Sequence, residues 1–338
     1  MGAGLAGLSA AYELDRAGHD AVVLEAQVRP GGRVQTLRSP FSDGLYAETG
    51  AARIPDNHDL TLKYLKAFGL SLTPFYPERG DYLDVVRGQA AQRRKPLDES
   101  ESTFAGDNPL DSILKEVGDP SAPKWSGASL LPYDEISTLE LLRRLGLSDK
   151  TISTVWLGAA TLEDLDTVSA LWVLRYSASE LTETTRFKIE GGNDQLPKEF
   201  ARRLSGRMRY GAGVTGIKQD PDRVEVFYDQ LGASRKLAGD YLVCTLPFPV
   251  LRGIRVEPEF SPGKQRAIKE LQYGSVTRSL VQVSQRFWDK SGANGFARTD
   301  APAEVWHATW DQPGPRGVLA FYIREETARR VARLDRQR

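Results

Sequence analysis

The 338-residue chain has one cysteine, two methionines and three histidines. A single cysteine excludes an internal disulfide framework and every Cys-x-x-Cys motif, whether redox or zinc-binding. Cys244 stands in the apolar run Tyr241-Leu242-Val243-Cys244. It is expected as buried packing rather than as a nucleophile, the usual state of a free cysteine. His19, His58 and His307 are widely spaced and make no metal-ligand pattern, so no metal is expected. Charge of one sign is also lacking: 45 basic and 45 acidic residues give a formal net charge of zero. That removes the footprint of a nucleic-acid or anionic-membrane binder. No apolar run approaches the length of a bilayer span. A secretory leader is not visible, which favours the cytoplasm, with the reservation that the start of the sequence looks incomplete. There is no Ser-His-Asp arrangement and no catalytic carboxylate pair. The length suffices for two or three domains with a substantial core.

What is present begins at the first residues, MGAGLAGLSAAYELDRAGHDAVVLEAQVRPGGR. Gly2, Gly4 and Gly7 form a G-x-G-x-x-G. A helical run follows over Leu8 to Ala17, then an apolar strand over Ala21 to Leu24 that ends on Glu25. This is the pattern of a dinucleotide-binding βαβ unit. Gly2 permits the tight turn, Gly4 lets backbone N–H groups approach a pyrophosphate, and Gly7 lets the helix pack closely on the sheet. The helix start supplies free N–H groups and the positive dipole end. Glu25 can accept from ribose hydroxyls and argues against a 2′-phosphate. The motif's first strand should precede Gly2, where only Met1 stands, so the sequence reads as one started late.

Glu25-Ala26 is followed by Arg29-Pro30-Gly31-Gly32-Arg33-Val34. This succession resembles the flavin amine oxidase family, which includes monoamine, L-amino acid and polyamine oxidases and protoporphyrinogen oxidase. In that family the Gly-Gly-Arg continues the FAD site, with the arginine against the phosphates, which places Arg33 in that role. A planar guanidinium suits phosphate oxygens. An NAD dehydrogenase has no need of the second glycine pair, so the resemblance implies FAD. Glu48-Thr49-Gly50-Ala51-Ala52-Arg53-Ile54-Pro55 resembles the segment that passes along the flavin ring in the L-amino acid oxidase branch. There the arginine pairs with the substrate α-carboxylate, a role that falls to Arg53. The resemblance thus puts cofactor contacts on Gly2, Gly4, Leu5, Ala6, Gly7, Glu25, Ala26, Gly32 and Arg33, on Gly50, Ala51, Ala52 and Arg53, and on Val214, whose backbone would meet the adenine.

Further along, Thr36 to Glu48 reads as a strand, turn and return, and Leu60 to Phe68 as a helix stopped at Gly69. Tyr82 to Val86 and Ala90 to Arg94 read as a hairpin whose basic arm is a solvated edge. Residues 97–129 are rich in Asp, Glu, Ser, Gly and Pro, with a short helix expected over Leu110 to Glu116, and lead into a helical insertion. Ser137 and Glu140 form a capping box before Leu141 to Leu145. Ser148 to Leu157 and Ser169 to Tyr176 continue the helical pattern. Trp156, Trp172 and Tyr176 are candidates to line a substrate funnel, with core packing the commoner role for each alone. Glu190-Gly191-Gly192-Asn193-Asp194-Gln195-Leu196-Pro197 resembles the family's return to the FAD domain, followed by a helix over Lys198 to Leu204. A hairpin over Val224 to Tyr228 and Arg235 to Leu237 flanks Gly232. Asp240 to Leu246 is expected as a buried strand stopped by Pro247. After Gly274 the family usually places a lysine that holds a water at flavin N5; here the position is Arg278, a departure that keeps the charge but not the shape. A charged helix is expected over Glu325 to Arg338. Family members continue for roughly a hundred further residues, judged from expected domain sizes.

The expected fold is α/β: a discontinuous Rossmann-like FAD domain over 1–37 and 186–272, a mixed-sheet substrate domain over 38–96 and 273–338, and a helical subdomain over 97–185. The chemistry the resemblance implies is oxidation of a Cα–N bond to an imine, with hydride passing to flavin N5 and O2 regenerating the flavin as H2O2 forms. The partners would be an amine or L-amino acid and O2, and the oligomeric state stays open, a homodimer included. The alternatives are a monoamine or polyamine oxidase or desaturase of the same fold, and a truncated, non-catalytic flavoprotein remnant.

Overall fold

A computed structural model describes residues 1–93, 110, 113–114, 130–157, 159–180, 185–300 and 303–334. It is a mixed α/β structure, as expected. The helix Leu5–Arg16 begins three residues before the sequence pattern suggested, because Gly4 serves as an extended N-cap (φ −70°, ψ 172°). Its apolar face, Leu8 and Ala11, is buried against Leu65, Leu196, Phe200 and Leu204. Tyr12, Phe68 and Phe200 meet edge to face there, at 4.8 to 5.6 Å between ring centroids, the geometry their quadrupoles favour. Phe68 ends the helix Asp59–Phe68, which Gly69 caps in the left-handed region at φ 69°.

The strand after the first helix is shorter than expected, Val23–Leu24, and pairs in parallel with Met208–Arg209. Next to it lies a four-stranded sheet in the order Ala233–Gly239, Val224–Gln230, Ala212–Gln219, Arg255–Glu257. The hairpin within it turns on Leu231 (φ 53°) and Gly232 (φ 78°), the two positive dihedrals of a turn whose twist matches the strands. A six-stranded mixed sheet runs in the order Val276–Val283, Gly317–Arg324, Ala303–His307, Ala293–Thr299, Asp81–Val86, Gln89–Arg93. Between the two sheets in the chain, Arg186–Ile189 pairs antiparallel with both Ile54–Pro55 and Leu72–Pro74. The helices Thr138–Arg144, Asp149–Val155, Leu162–Thr167 and Ala170–Glu180 enclose Leu142, Ile152 and Leu174.

Several local expectations need correction. Asp240 to Leu246 forms no assigned strand, and Cys244 is exposed rather than buried. The segment meets the glycine loop at Met1 and Gly2. The Met1 ammonium donates to the Val243 carbonyl at 2.8 Å, and the Thr245 N–H donates to the Met1 carbonyl at 3.1 Å. The Ser137 capping box is half formed: Ser137 Oγ accepts from the Glu140 N–H at 3.1 Å, but the Glu140 carboxylate turns to Arg144. The reciprocal box stands instead at Thr161, with Asp164 as the returning acid. The helix expected over Leu110 to Glu116 lies outside the described residues except for Leu110, Ile113 and Leu114, of which the first two are buried in the helical core. Trp156 packs against that core, whereas Trp172 is 57% exposed and stacks flat on Tyr176 at 5.2 Å.

Candidate active site

The three glycines of the first loop stand in three different environments. Gly2 has φ +92°, and its N–H donates to the Leu24 carbonyl at 2.9 Å. A Cβ on Gly7 would lie 1.9 Å from the Gly2 carbonyl oxygen, so the helix can come this close only without a side chain. A Cβ on Gly4 would meet nothing within 4 Å. The loop therefore presents bare backbone to open space at Gly4. The first intrahelical bond is Leu8 N–H to the Gly4 carbonyl, 2.9 Å, which leaves the N–H groups of Leu5, Ala6 and Gly7 at the helix start outside the helical ladder.

The second glycine turn abuts the first. The Gly31 N–H donates to the Ala3 carbonyl at 2.8 Å, and a Cβ on Gly32 would stand 3.4 Å from Gly4 Cα. Arg29, whose role no motif signalled, shapes this turn: its guanidinium donates to the carbonyls of Pro30, Gly32 and Val34 and to Gln35 Oε1. Arg33 is exposed, with no side-chain partner among the described residues. Glu25 is buried, and its carboxylate accepts the Ala3 and Gln27 N–H groups at 2.7 and 2.8 Å. A carboxylate has about four lone-pair sites, so two backbone bonds leave acceptor capacity for hydroxyls. The Ala212 N–H donates to the Glu25 carbonyl at 2.8 Å, which brings Val214, two residues on in the same strand, to the neighbourhood of Glu25. Val214 sits where the strand is bulged. A bare loop, a helix start with unused donors, a buried acidic acceptor and an exposed arginine fit the pyrophosphate and ribose of a dinucleotide.

The segment Glu48 to Arg53 is fixed from two sides. The Ala51 N–H donates to the Arg33 carbonyl at 3.0 Å, and a Cβ on Gly50 would fall 2.0 Å from that oxygen. On the other side stands the loop Gly191-Gly192-Asn193-Asp194. Asn193 Nδ2 donates to the carbonyls of Ala51 and Ala52, its Oδ1 accepts from the Ile189 N–H, and its own N–H donates to Glu48 Oε1 at 2.9 Å. Thr36 Oγ1 donates to the same carboxylate at 2.9 Å. Burial pushes the Glu48 carboxyl up to about 7, against the lowering effect of these bonds and of Arg278. The motif resemblance located these two segments; that Asn193 ties them together was not visible, because its partners lie more than 140 residues away.

Arg278 and Arg53 converge on this segment. Arg278 Nη1 donates to the carbonyls of Glu48 and Gly50 at 2.7 and 2.6 Å. Its Nε–H is buried without a partner among the described residues. Its guanidinium lies over Trp306 and Tyr322 at 4.8 and 5.0 Å, rings that stack on each other at 4.8 Å. Arg53 lies over Trp306 at 5.0 Å, with Nη1 3.4 Å from the Tyr76 hydroxyl and 3.8 Å from Glu304 Oε2. Arg324 pairs with Glu304 and lies over Tyr322. Among the described residues, three arginines thus gather around Glu304 and two stacked rings. Trp306, Tyr322, Glu304 and Arg324 were not singled out from the sequence. Their only signal is alternation along two paired strands, since Glu304 lies opposite Tyr322 and Trp306 opposite Ala320.

A nucleotide cradle beside a cationic, aromatic-walled site defines a flavoprotein oxidoreductase. A family model described as flavin containing amine oxidoreductase matches residues 5–338, and the chain belongs to that family. An L-amino-acid oxidase of Vipera ammodytes ammodytes is 33% identical over 341 residues, an alignment that covers 95% of this chain and 69% of the relative. An L-amino-acid oxidase of Bothrops pauloensis is 31% identical over 339 residues, with 95% of this chain and 66% of the relative covered. YobN of Bacillus subtilis (strain 168), provisionally named an L-amino-acid oxidase, is 33% identical over 349 residues, with 95% and 71% covered. The chain therefore spans about two thirds of the length of these relatives. Among solved structures, putrescine oxidase bound to putrescine superposes with a TM-score of 0.83 at 20% identity, over 99% of this chain and 77% of that one. Cyclohexylamine oxidase from Brevibacterium oxydans IH-35A gives 0.79 at 22% identity, with the same coverage. These two establish the fold. The cofactor of the family is FAD, and its members are oxidoreductases.

Proposed function

We propose that the protein oxidises the Cα–N bond of an L-amino acid. The observation that carries this reading is Arg53, held over Trp306 beside Arg278 on the same ring. A planar guanidinium on an aromatic wall is suited to grip an α-carboxylate through two parallel hydrogen bonds. That grip would fix the direction of the Cα–H bond, an effect of orientation rather than of acid–base chemistry. Arg278 would hold the backbone of Glu48 and Gly50 in place beside the reacting centre, and its spare N–H offers one donor there. The loops at Gly2 to Gly7 and Gly31 to Arg33, with Glu25 and Val214, would hold FAD. When bound, FAD accepts the hydride from the α-carbon and is returned to its oxidised form by O2. In this reading residues 1–37 and 186–272 serve the cofactor, residues 38–96 and 273–338 serve the substrate, and residues 97–185 are a helical subdomain.

A second reading, oxidation of a plain amine, is favoured by one observation: the Glu304 carboxylate partly neutralises Arg53. The absorption spectrum of the FAD-loaded protein separates the two. Addition of mixed L-amino acids without oxygen is expected to bleach the flavin bands. Bleaching by primary amines and not by amino acids would overturn the first reading.

A further inference from the structure

We propose that Glu304 is a specificity-determining counter-charge, which makes the site favour zwitterions over ligands that carry a bare negative charge; the inference rests on Arg53 as the carboxylate-binding residue. Glu304 stands on the strand Ala303–His307 with its side chain only 13% exposed. Oε1 accepts from Arg324, and Oε2 accepts from Trp306 Nε1 at 2.9 Å. Oε2 is also 3.8 Å from Arg53 Nη1. That last separation is well beyond the ~2.7–2.9 Å of a charge-assisted hydrogen bond. Glu304 therefore lowers the positive potential at Arg53 through space, while its own hydrogen bonds go to Trp306 and Arg324.

The consequence depends on the net charge of the ligand. A carboxylate docked on Arg53 meets a second carboxylate a few ångströms away, inside a site where screening by solvent is weak. An anion with no compensating charge feels this repulsion in full. A zwitterionic amino acid carries an ammonium as well, so its net interaction with Glu304 is far smaller. The 2-oxo acid left after an imine hydrolyses is such an uncompensated anion. Glu304 therefore weakens the hold on product relative to substrate without altering the fork that receives either. Arg324 acts in the opposite sense, because it offsets the Glu304 charge from the far side.

Glu304→Gln keeps the acceptor for Trp306 and removes the charge, together with the acceptor that faces Arg324. Calorimetric titration of the FAD-loaded protein with benzoate, a carboxylate without an amine, is expected to show roughly tenfold tighter binding in this variant, the scale of one charge removed from such a site. KM for an L-amino acid is expected to change by less than about threefold, since a zwitterion carries little net charge for Glu304 to repel. Arg324→Gln is expected to weaken benzoate, the opposite direction, which a general loosening of the site in both variants would not produce. Equal or weaker benzoate binding in Glu304→Gln overturns the proposal. Arg53→Leu separates this from failure of the underlying reading. If it binds benzoate as well as the parent protein, Arg53 is not the carboxylate residue, and both fall together.

Discussion

Arg53 and Arg278 share one aromatic wall, with their guanidinium carbons 5.0 and 4.8 Å from the centroid of the Trp306 ring. Two cations drawn to one ring repel each other, and they are held there by different means. Arg278 is tied to backbone carbonyls, whereas Arg53 faces a hydroxyl and a carboxylate at longer range. The first arrangement is a scaffold. The second sets Arg53 among side chains rather than on the backbone.

From this follows a difference between the two in kinetics. Arg53→Leu should raise KM for an L-amino acid by about a hundredfold, the cost of about 2–3 kcal/mol for a lost charged hydrogen-bond pair. A primary amine should be unaffected, because it has no carboxylate to place. Arg53→Lys should fall between, since an ammonium keeps the charge without the fork. Steady-state kinetics with the two substrate classes checks this, and an equal loss for both would speak for a structural role.

Arg278 should show itself in stability. Arg278→Met leaves the Glu48 and Gly50 carbonyls without their donor and should destabilise the protein by about 2 kcal/mol. Arg278→Lys should recover part of that loss, because one ammonium can reach one carbonyl but not reproduce the guanidinium contact with two rings. Thermal unfolding of the FAD-loaded variants orders them: parent, lysine, methionine. A methionine variant as stable as the parent would remove the scaffold role.

The geometry of the glycine loop was legible because everything that shapes it is local. Gly2, Gly4, Gly7 and Glu25 lie within one turn–helix–strand, and each glycine's job follows from the absence of a side chain. Arg33 and Arg53 were singled out only because their short motifs resemble those of the flavin amine oxidase family. Glu304, Trp306 and Arg324 were not, because they meet Arg53 only through the pairing of Ala303–His307 with Gly317–Arg324, and strand register across such a distance leaves no mark in composition. The expectation for Cys244 shows a further limit: an apolar run identifies residues that suit burial, and not the neighbour that would cover them. The first helix starts three residues earlier than expected, at the glycine N-cap Gly4, and the helix Leu162–Thr167, capped by Thr161 and Asp164, was not anticipated.

Glu48 should give stability a pH dependence of known sign. Burial raises its carboxyl to about 7 in the folded protein, from an ordinary 4.5. The folded state therefore keeps a proton that the unfolded chain has released. Stability from this group is fullest below about pH 4.5 and is lost as pH rises through about 7, by about 3 kcal/mol in all. Glu48→Gln cannot titrate, and its amide oxygen can still accept from Thr36 and Asn193. Its stability relative to the parent should rise between pH 5 and pH 8. Unfolding midpoints of both proteins across that range test this, and a constant difference would mean that Glu48 is ionised throughout.

Alanine at Gly4 and at Gly7 should fail in opposite ways. Gly4 has φ −70°, which any residue adopts, and its added Cβ would meet no protein atom within 4 Å. Gly4→Ala should therefore fold with stability within about 1 kcal/mol of the parent. Its methyl group would occupy the space through which the backbone approaches a pyrophosphate, so FAD affinity should drop by about a hundredfold or more, as expected where bare backbone is the binding surface. Gly7→Ala puts a Cβ 1.9 Å from the Gly2 carbonyl oxygen, a backbone atom that cannot rotate away. It should destabilise the apoprotein by about 3 kcal/mol or more, the upper range of overpacking. Fluorescence titration with FAD and thermal unfolding without it separate the two effects. If Gly4→Ala bound FAD normally, the pyrophosphate would have to lie elsewhere than over this loop.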